Sequence, residues 1–131
     1  MTRVLLVGLR PEAVDFSDPA LPPGMTAEKI HAGIALALTQ MADRGWHAEA
    51  CLVEPDATAA PTLERRLSTA PYDCIVVGAG VRLPPKSLLL FESIINAVHR
   101  CAPNASIAFN TRPEDSADAA ARGLSSAAPA R

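Results

Sequence analysis

The chain has 131 residues, 49% of them hydrophobic and 20% charged, which is the balance of one globular domain and not of a disordered chain. A domain of this size buries roughly two thirds of its unfolded surface, enough for one core without staples. The formal net charge of −2 leaves no global basic field for nucleic acid or an anionic membrane surface.

The first residues, MTRVLLVGLRPE, hold one short apolar run, too short for a secretory signal. No segment approaches the ~20 apolar residues of a membrane span, so the expected location is cytoplasmic. The three cysteines fit that expectation. Cys51 and Cys74 fall in predicted strands and Cys101 near a helix end. Their number is odd and no C-x-x-C pair occurs, so neither a disulfide framework nor a zinc site is signalled. They read as buried free cysteines acting as small hydrophobes.

Val4 to Gly8 is a continuous apolar run and reads as a strand buried on both faces. The stretch LRPEAVDFSDPALPPG follows, with four prolines. Irregular segments this long inside a compact domain are usually functional or mobile. Thr26 is placed to cap the next helix, with Glu28 favourable for its dipole. Ala27, Ile30, Ile34, Leu38 and Met41 recur at helical spacing, and Gly45 supplies a left-handed stop. Gly33 costs such a helix ~1 kcal/mol relative to alanine; close packing against a sheet would account for it.

His47 to Val53 reads as the second strand. Pro61 opens a short helix through Leu63 and Leu67. Asp73 to Gly78 is the third strand and the most hydrophobic. Gly80 to Pro85 forms a second functional-looking loop. A helix follows with Leu88, Phe91, Ile95 and Val98 on one stripe and Leu90 and Ile94 beside it, ended by Pro103. Ala105 to Phe109 is the fourth strand. Thr111-Arg112-Pro113-Glu114 fits a capping box. An alanine-rich helix then runs to about Arg122, where Gly123 stops it. Residues 1–122 are expected to form one α/β domain, with 123–131 as a flexible tail.

Strands alternating with helices imply a parallel sheet with right-handed crossovers. The expected architecture is a three-layer αβα sandwich with a four-stranded parallel sheet in the order 2-1-3-4, a shortened flavodoxin-like arrangement. A Rossmann-like half domain with order 3-2-1-4 is the alternative.

In the order 2-1-3-4 the topological switch point lies between strands 1 and 3, where domains of this class bind ligands. The loops leaving those strands are the two richest in proline and glycine. Arg10 and Arg82 would flank the crevice, and Arg112 would follow strand 4 at the same edge. Guanidinium forks suit carboxylate and phosphate. Helix N-termini near Lys86 and Arg112 would add backbone donors. The leading expectation is a small anionic ligand held by Arg10, Arg82 and Arg112. Gly8, Gly78 and Gly80 would allow close approach, and Asn110 and Thr111 would orient the ligand. Ordinary ion pairing competes with that reading, because Glu12, Asp15, Asp18, Glu54, Glu114 and Asp115 share the edge.

Two other readings stand beside it. Asp15 or Asp18 could serve as acid/base in an enzyme acting on an anionic metabolite, although DFSDP is also ordinary turn chemistry. The chain could instead be an interaction or homo-oligomeric module, with strand 4 as an edge needing cover and the alanine-rich helix as a subunit contact. No cofactor is signalled: GAGVR has Leu83 where a dinucleotide loop needs glycine, and it follows the wrong strand. His31, His47 and His99 share no metal-ligand spacing, and Ser87 lacks a nucleophile elbow.

The element order resembles that of flavodoxin and of bacterial receiver domains, over residues 1 to about 122. Receiver domains carry an acidic cluster after strand 1 and a phospho-accepting aspartate after strand 3. Here Gly8-Leu9-Arg10 and Gly78-Ala79-Gly80 stand there, and the late lysine after a fifth strand has no counterpart. A flavodoxin phosphate loop would be rich in serine and threonine, and a sugar-phosphotransferase IIB subunit would place a cysteine after strand 1; Leu9-Arg10-Pro11 is neither. The segments VDFSDPALPPGMTAEKI, VVGAGVRLPP and FNTRPED also resemble those of small bacterial α/β proteins with no assigned activity. That resemblance implies the fold and brings no chemistry with it.

Overall fold

The computed structural model describes residues 1–126. Four strands form one parallel sheet: β1 (Arg3–Leu9), β2 (His47–Val53), β3 (Cys74–Val77) and β4 (Ser106–Phe109). Their order is β2-β1-β3-β4, as the alternation of elements implied. The connecting helices are α1 (Ala27–Asp43), α2 (Ala59–Leu67), the short α3 (Ala79–Arg82) and α4 (Leu88–Cys101), with α5 (Ser116–Ser126) after β4.

The period-2 alternation of the strands builds two cores, one on each face of the sheet. Leu5, Val7, Cys51, Val53, Ile75 and Val77 face one way, against Leu63 and Leu67 of α2, Val81 of α3, and Ile94, Ala97 and Val98 of α4. Val4, Leu6, Cys74, Val76 and Ala108 face the other way, against Ala37 and Met41 of α1 and Ala117, Ala119 and Ala120 of α5. This is the three-layer sandwich. The central strands β1 and β3 are buried on both faces, which is why their sequences are continuous apolar runs rather than alternating ones.

Each edge strand has an arginine on one of its carbonyls. Arg66 Nη1 donates to Ala50 O of β2 at 3.0 Å. Arg122 Nη2 donates to Phe109 O of β4 at 2.9 Å. A charged side chain on an edge carbonyl opposes pairing with another chain.

Several local expectations hold. Thr26 Oγ1 accepts the Lys29 N–H at 3.2 Å and caps α1. Gly45 has φ of 86°, the left-handed geometry of a helix stop. Cys51 and Cys74 are free and buried as expected, but Cys101, read as buried with them, is exposed because it falls at the C-terminal end of α4.

Others are corrected. Gly33 does not meet the sheet. A Cβ there would lie 3.1 Å from Pro113 Cβ and 3.3 Å from Glu114 Oε2, so the glycine admits the segment before α5. The buried line of α1 therefore runs through Gly33, Ala37 and Met41. Ile34 and Leu38 pack beside it. Gly123 does not end α5, which continues to Ser126. A Cβ at Gly123 would lie 3.0 Å from Cys74 Sγ and 3.1 Å from Ser106 Oγ, so this glycine brings the helix close to the sheet. The tail expected from residue 123 thus starts inside a helix, and its residues 127–131 lie outside those described. Ala117, Ala119 and Ala120 are buried in the chain's own core, so that stripe is spent internally and not free as a subunit contact. Gly80–Pro85, expected as a loop, is partly helical, with α3 followed by a 3-10 turn at Pro85–Ser87.

Candidate functional site

The parallel sheet delivers the ends of β1, β3 and β4 to one edge, and the switch point falls between β1 and β3 as expected. Nearly every polar group brought there is engaged by another group of the same chain.

Arg10 leaves β1 with its backbone N–H donating to Val53 O at 2.9 Å. Its guanidinium grips Glu54, at the end of β2, with Nε and Nη2, and reaches Glu12 Oε1 through Nη1 at 3.4 Å. Glu12 in turn accepts from His31 Nε2 of α1 at 2.6 Å. That hydrogen bond holds the Glu12 carboxyl below its ordinary pKa. A chain of four side chains therefore joins α1, the start of the long loop and the ends of β1 and β2.

Asp15 and Asp18 sit in tight turns of the long loop. Asp15 Oδ1 accepts from the backbone and hydroxyl of Ser17, at 3.0 and 2.5 Å. Asp18 Oδ1 accepts from Ala20 N at 2.8 Å. Both carboxylates face Lys86, which donates to Asp15 Oδ2 and lies 3.5 Å from Asp18 Oδ2. Lys86 thereby ties the loop after β1 to the segment after β3. Its hydrogen bond, with those from Ser17, depresses the Asp15 carboxyl to about 2.

At the end of β4, Asn110 is buried, and both ends of its side-chain amide and its backbone carbonyl are hydrogen-bonded. Its Oδ1 accepts the Ala79 N–H that opens α3, at 2.8 Å. Its Nδ2 donates to Ser116 Oγ at 2.9 Å. Its carbonyl accepts from Arg82 Nη2 at 2.8 Å. The Arg82 guanidinium lies over the Phe109 ring, 5.5 Å from its centroid. Arg82 Nε is buried and has no hydrogen-bond partner among the described residues.

Thr111 joins Asp115 and not Glu114. Its backbone N–H donates to Asp115 Oδ1 at 3.0 Å and its hydroxyl to Oδ2. The box was expected to close on the residue three positions on; the 3-10 turn at Pro113–Asp115 brings the next carboxylate into place. Burial raises the pKa of Asp115, but the Thr111 and Arg112 hydrogen bonds outweigh it and hold the carboxyl below its ordinary value. Arg112 is exposed, and its backbone N–H donates to Asp115 Oδ1 at 3.4 Å.

The three glycines differ in role. Gly78 is where β3 approaches β1: its N–H donates to Val7 O at 2.8 Å, and a Cβ would lie 3.1 Å from that same oxygen. At Gly8 a Cβ would only touch Leu52, and at Gly80 it would meet nothing within 4 Å.

Four basic side chains (Arg10, Arg82, Lys86 and Arg112) share the edge with six acidic ones (Glu12, Asp15, Asp18, Glu54, Glu114 and Asp115). The edge is formally acidic, so its net field does not draw an anion. Around the Lys86 bridge it is also apolar. Leu83, Leu88 and Leu89 are 51%, 59% and 77% exposed, and Phe16, next to Asp15, is 41% exposed. Leu88, expected on the buried stripe of α4, lies outside it, because that stripe centres on Ile94, Ala97 and Val98. The run Leu88-Leu89-Leu90 is the sequence signal of this exposure. A helix buries one face, so three consecutive leucines leave at least one outside.

Two hollows formed by the described residues lie outside the Arg10 and Asn110 clusters, the first reaching the edge only through Glu114. One is lined by Gln40, Asp43, Arg44, Glu114, Ala117 and Asp118. The other is lined by Cys51, Leu52, Thr62, Arg65, Arg66 and Thr69. Among the described residues, no three His, Cys, Asp or Glu side chains group as a metal site, and no helix is long and apolar enough to cross a membrane. No protein-family model and no curated protein matches the chain.

Proposed function

We propose that this chain is a shortened flavodoxin-like binding domain whose working surface is the C-terminal edge of its sheet, and that the occupant of that edge is a protein. The observation that carries the reading is the exposure of Leu83, Leu88 and Leu89 beside Phe16. Large apolar side chains grouped on a surface and rimmed by charge mark interaction sites. The polar groups of the edge are already engaged with one another, and this gives the surface a set shape. An acidic rim around an apolar centre suits a partner that is apolar with basic flanks.

The test is photo-crosslinking in cells from a reactive residue at position 89, with position 36 on α1 as the control. A discrete adduct at 89, lost on Leu83→Ser with Leu88→Ser, supports the reading. Equal labelling from both positions overturns it.

A small anionic ligand at the same edge is the second reading, and Arg82 favours it. A buried Nε without a partner is the sort of donor a ligand oxygen satisfies. A thermal-shift screen against phosphates, nucleotides and carboxylates tests it: a stabilising hit abolished by Arg82→Ala supports it, because binding to the native state raises the melting temperature. The enzyme reading is weaker. Asp15 and Asp18 both hold turn hydrogen bonds, and a carboxyl depressed to about 2 is a poor general base near neutral pH.

A further inference from the structure

The geometry points to a phosphate-binding site elsewhere, in the hollow between β2 and α2. Its volume is about 300 Å³, at the small end of ligand sites. Its lining includes two arginines and two threonines and no acidic side chain. The other hollow is the opposite case, with Asp43, Glu114 and Asp118 against one arginine already paired with Asp118.

Glu64 of α2 and Glu49 of β2 have partners outside the hollow, although the Arg66 charge also acts on Glu49. Glu64 accepts from Arg100 of α4. Glu49 accepts from the Tyr72 hydroxyl at 2.6 Å and faces His47 at 3.5 Å. The carbonyls at the end of α2 are also occupied: Ser68 Oγ donates to Arg65 O and Thr69 Oγ1 to Arg66 O, each at 2.7 Å. These hydroxyls take over a job that basic side chains often do at a helix C-terminus, which leaves the guanidinium groups for another use.

The two arginines are held differently. Arg66 spends Nη1 on Ala50 O and keeps its other donors. Arg65 donates from Nη2 to Thr62 Oγ1 at 3.3 Å. Two guanidinium forks match a phosphate group, which carries about −1.5 to −2 charges near neutral pH. The ligand is therefore a phosphate ester or inorganic phosphate. This site is separate from the C-terminal edge and does not depend on the reading given to that edge.

The test titrates the full chain with inorganic phosphate, with chloride at matched ionic strength as the control. Backbone amide NMR shifts and the melting temperature are followed. Phosphate, and not chloride, is expected to move the amides of residues 50–52 and 62–69 and to raise the melting temperature. Arg65→Gln removes an exposed side chain hydrogen-bonded to Thr62 and is expected to leave the fold intact and weaken binding by about tenfold or more. Arg66→Gln with Arg65→Gln is expected to abolish it. A glucose-phosphate probe then separates an ester from the free ion: tighter binding than inorganic phosphate assigns the ester, and equal or weaker binding the ion. The proposal is overturned if phosphate does nothing beyond chloride, if Arg65→Gln binds as well as the parent, or if the moving amides surround Arg10 and Arg82 instead.

Discussion

Asn110 Oδ1 accepts the backbone N–H of Ala79 at 2.8 Å, so the end of β4 caps the start of α3. That N–H opens α3 just after β3, beside the switch point between β1 and β3. Here a buried side chain of the same protein takes it, and the loop after β3 is held by its neighbour strand.

Asn110→Ala removes the acceptor for Ala79 and the donor to Ser116. We expect a loss of about 1–3 kcal/mol, the cost of leaving a part-buried donor unsatisfied. Asn110→Asp keeps the acceptor and is expected to lose less. Urea denaturation of both variants checks the order, and equal stability of Asn110→Ala and the parent would refute the account.

Two glycines in helices are expected to respond in opposite directions. Gly80→Ala meets open space and is expected to stabilise by about 0.4–1 kcal/mol. Gly123→Ala drives a methyl to 3.0 Å from the buried Cys74 Sγ and is expected to destabilise by about 1–3 kcal/mol, despite the gain in helix propensity. Thermal melts of the pair measure the contrast.

Asp15 carries a pH dependence whose sign follows from its shift. Its pKa falls from 3.8 to about 2 on folding, first through Lys86 and then through Ser17. A depressed carboxyl stabilises the fold in its ionised form. The contribution is complete above 3.8 and disappears as the pH drops through 2. Asp15→Asn removes it, so the parent's advantage over the variant should shrink across that window. Carbon-detected NMR should find the Asp15 carboxyl titrating near 2 in the parent and higher in Lys86→Met. A parent carboxyl at 3.8 contradicts the Lys86 bridge.

Leu88→Ser and Leu89→Ser are expected to change stability by no more than about 0.5 kcal/mol, as for exposed positions. Ile94→Ala, fully buried in the same helix, is expected to cost about 2–5 kcal/mol. If Leu89→Ser costs as much as Ile94→Ala, the surface assignment fails.

Strand positions, their parallel arrangement and the order β2-β1-β3-β4 were legible from the chain alone. They rest on local patterns: apolar runs of strand length, helical periodicity between them, and the crossover rule. The cap at Thr26 and the stop at Gly45 were equally local, because each acts within one turn. The candidate edge was legible as a place, since topology brings Arg10, Arg82, Asn110 and Arg112 to it. Its state was not. Arg10 chose Glu54, which is 44 positions away and adjacent only because β1 pairs with β2. Lys86 chose Asp15 across 71 positions. Gly33 and Gly123 were read as punctuation or sheet contact, because a glycine's neighbours in space leave no trace in its neighbours in sequence. Periodicity is a property of one segment, so the sequence by itself determined the elements and their layering. Charge pairing, close approach and which leucines stay outside depend on what lies across a gap, and only the tertiary structure decided them.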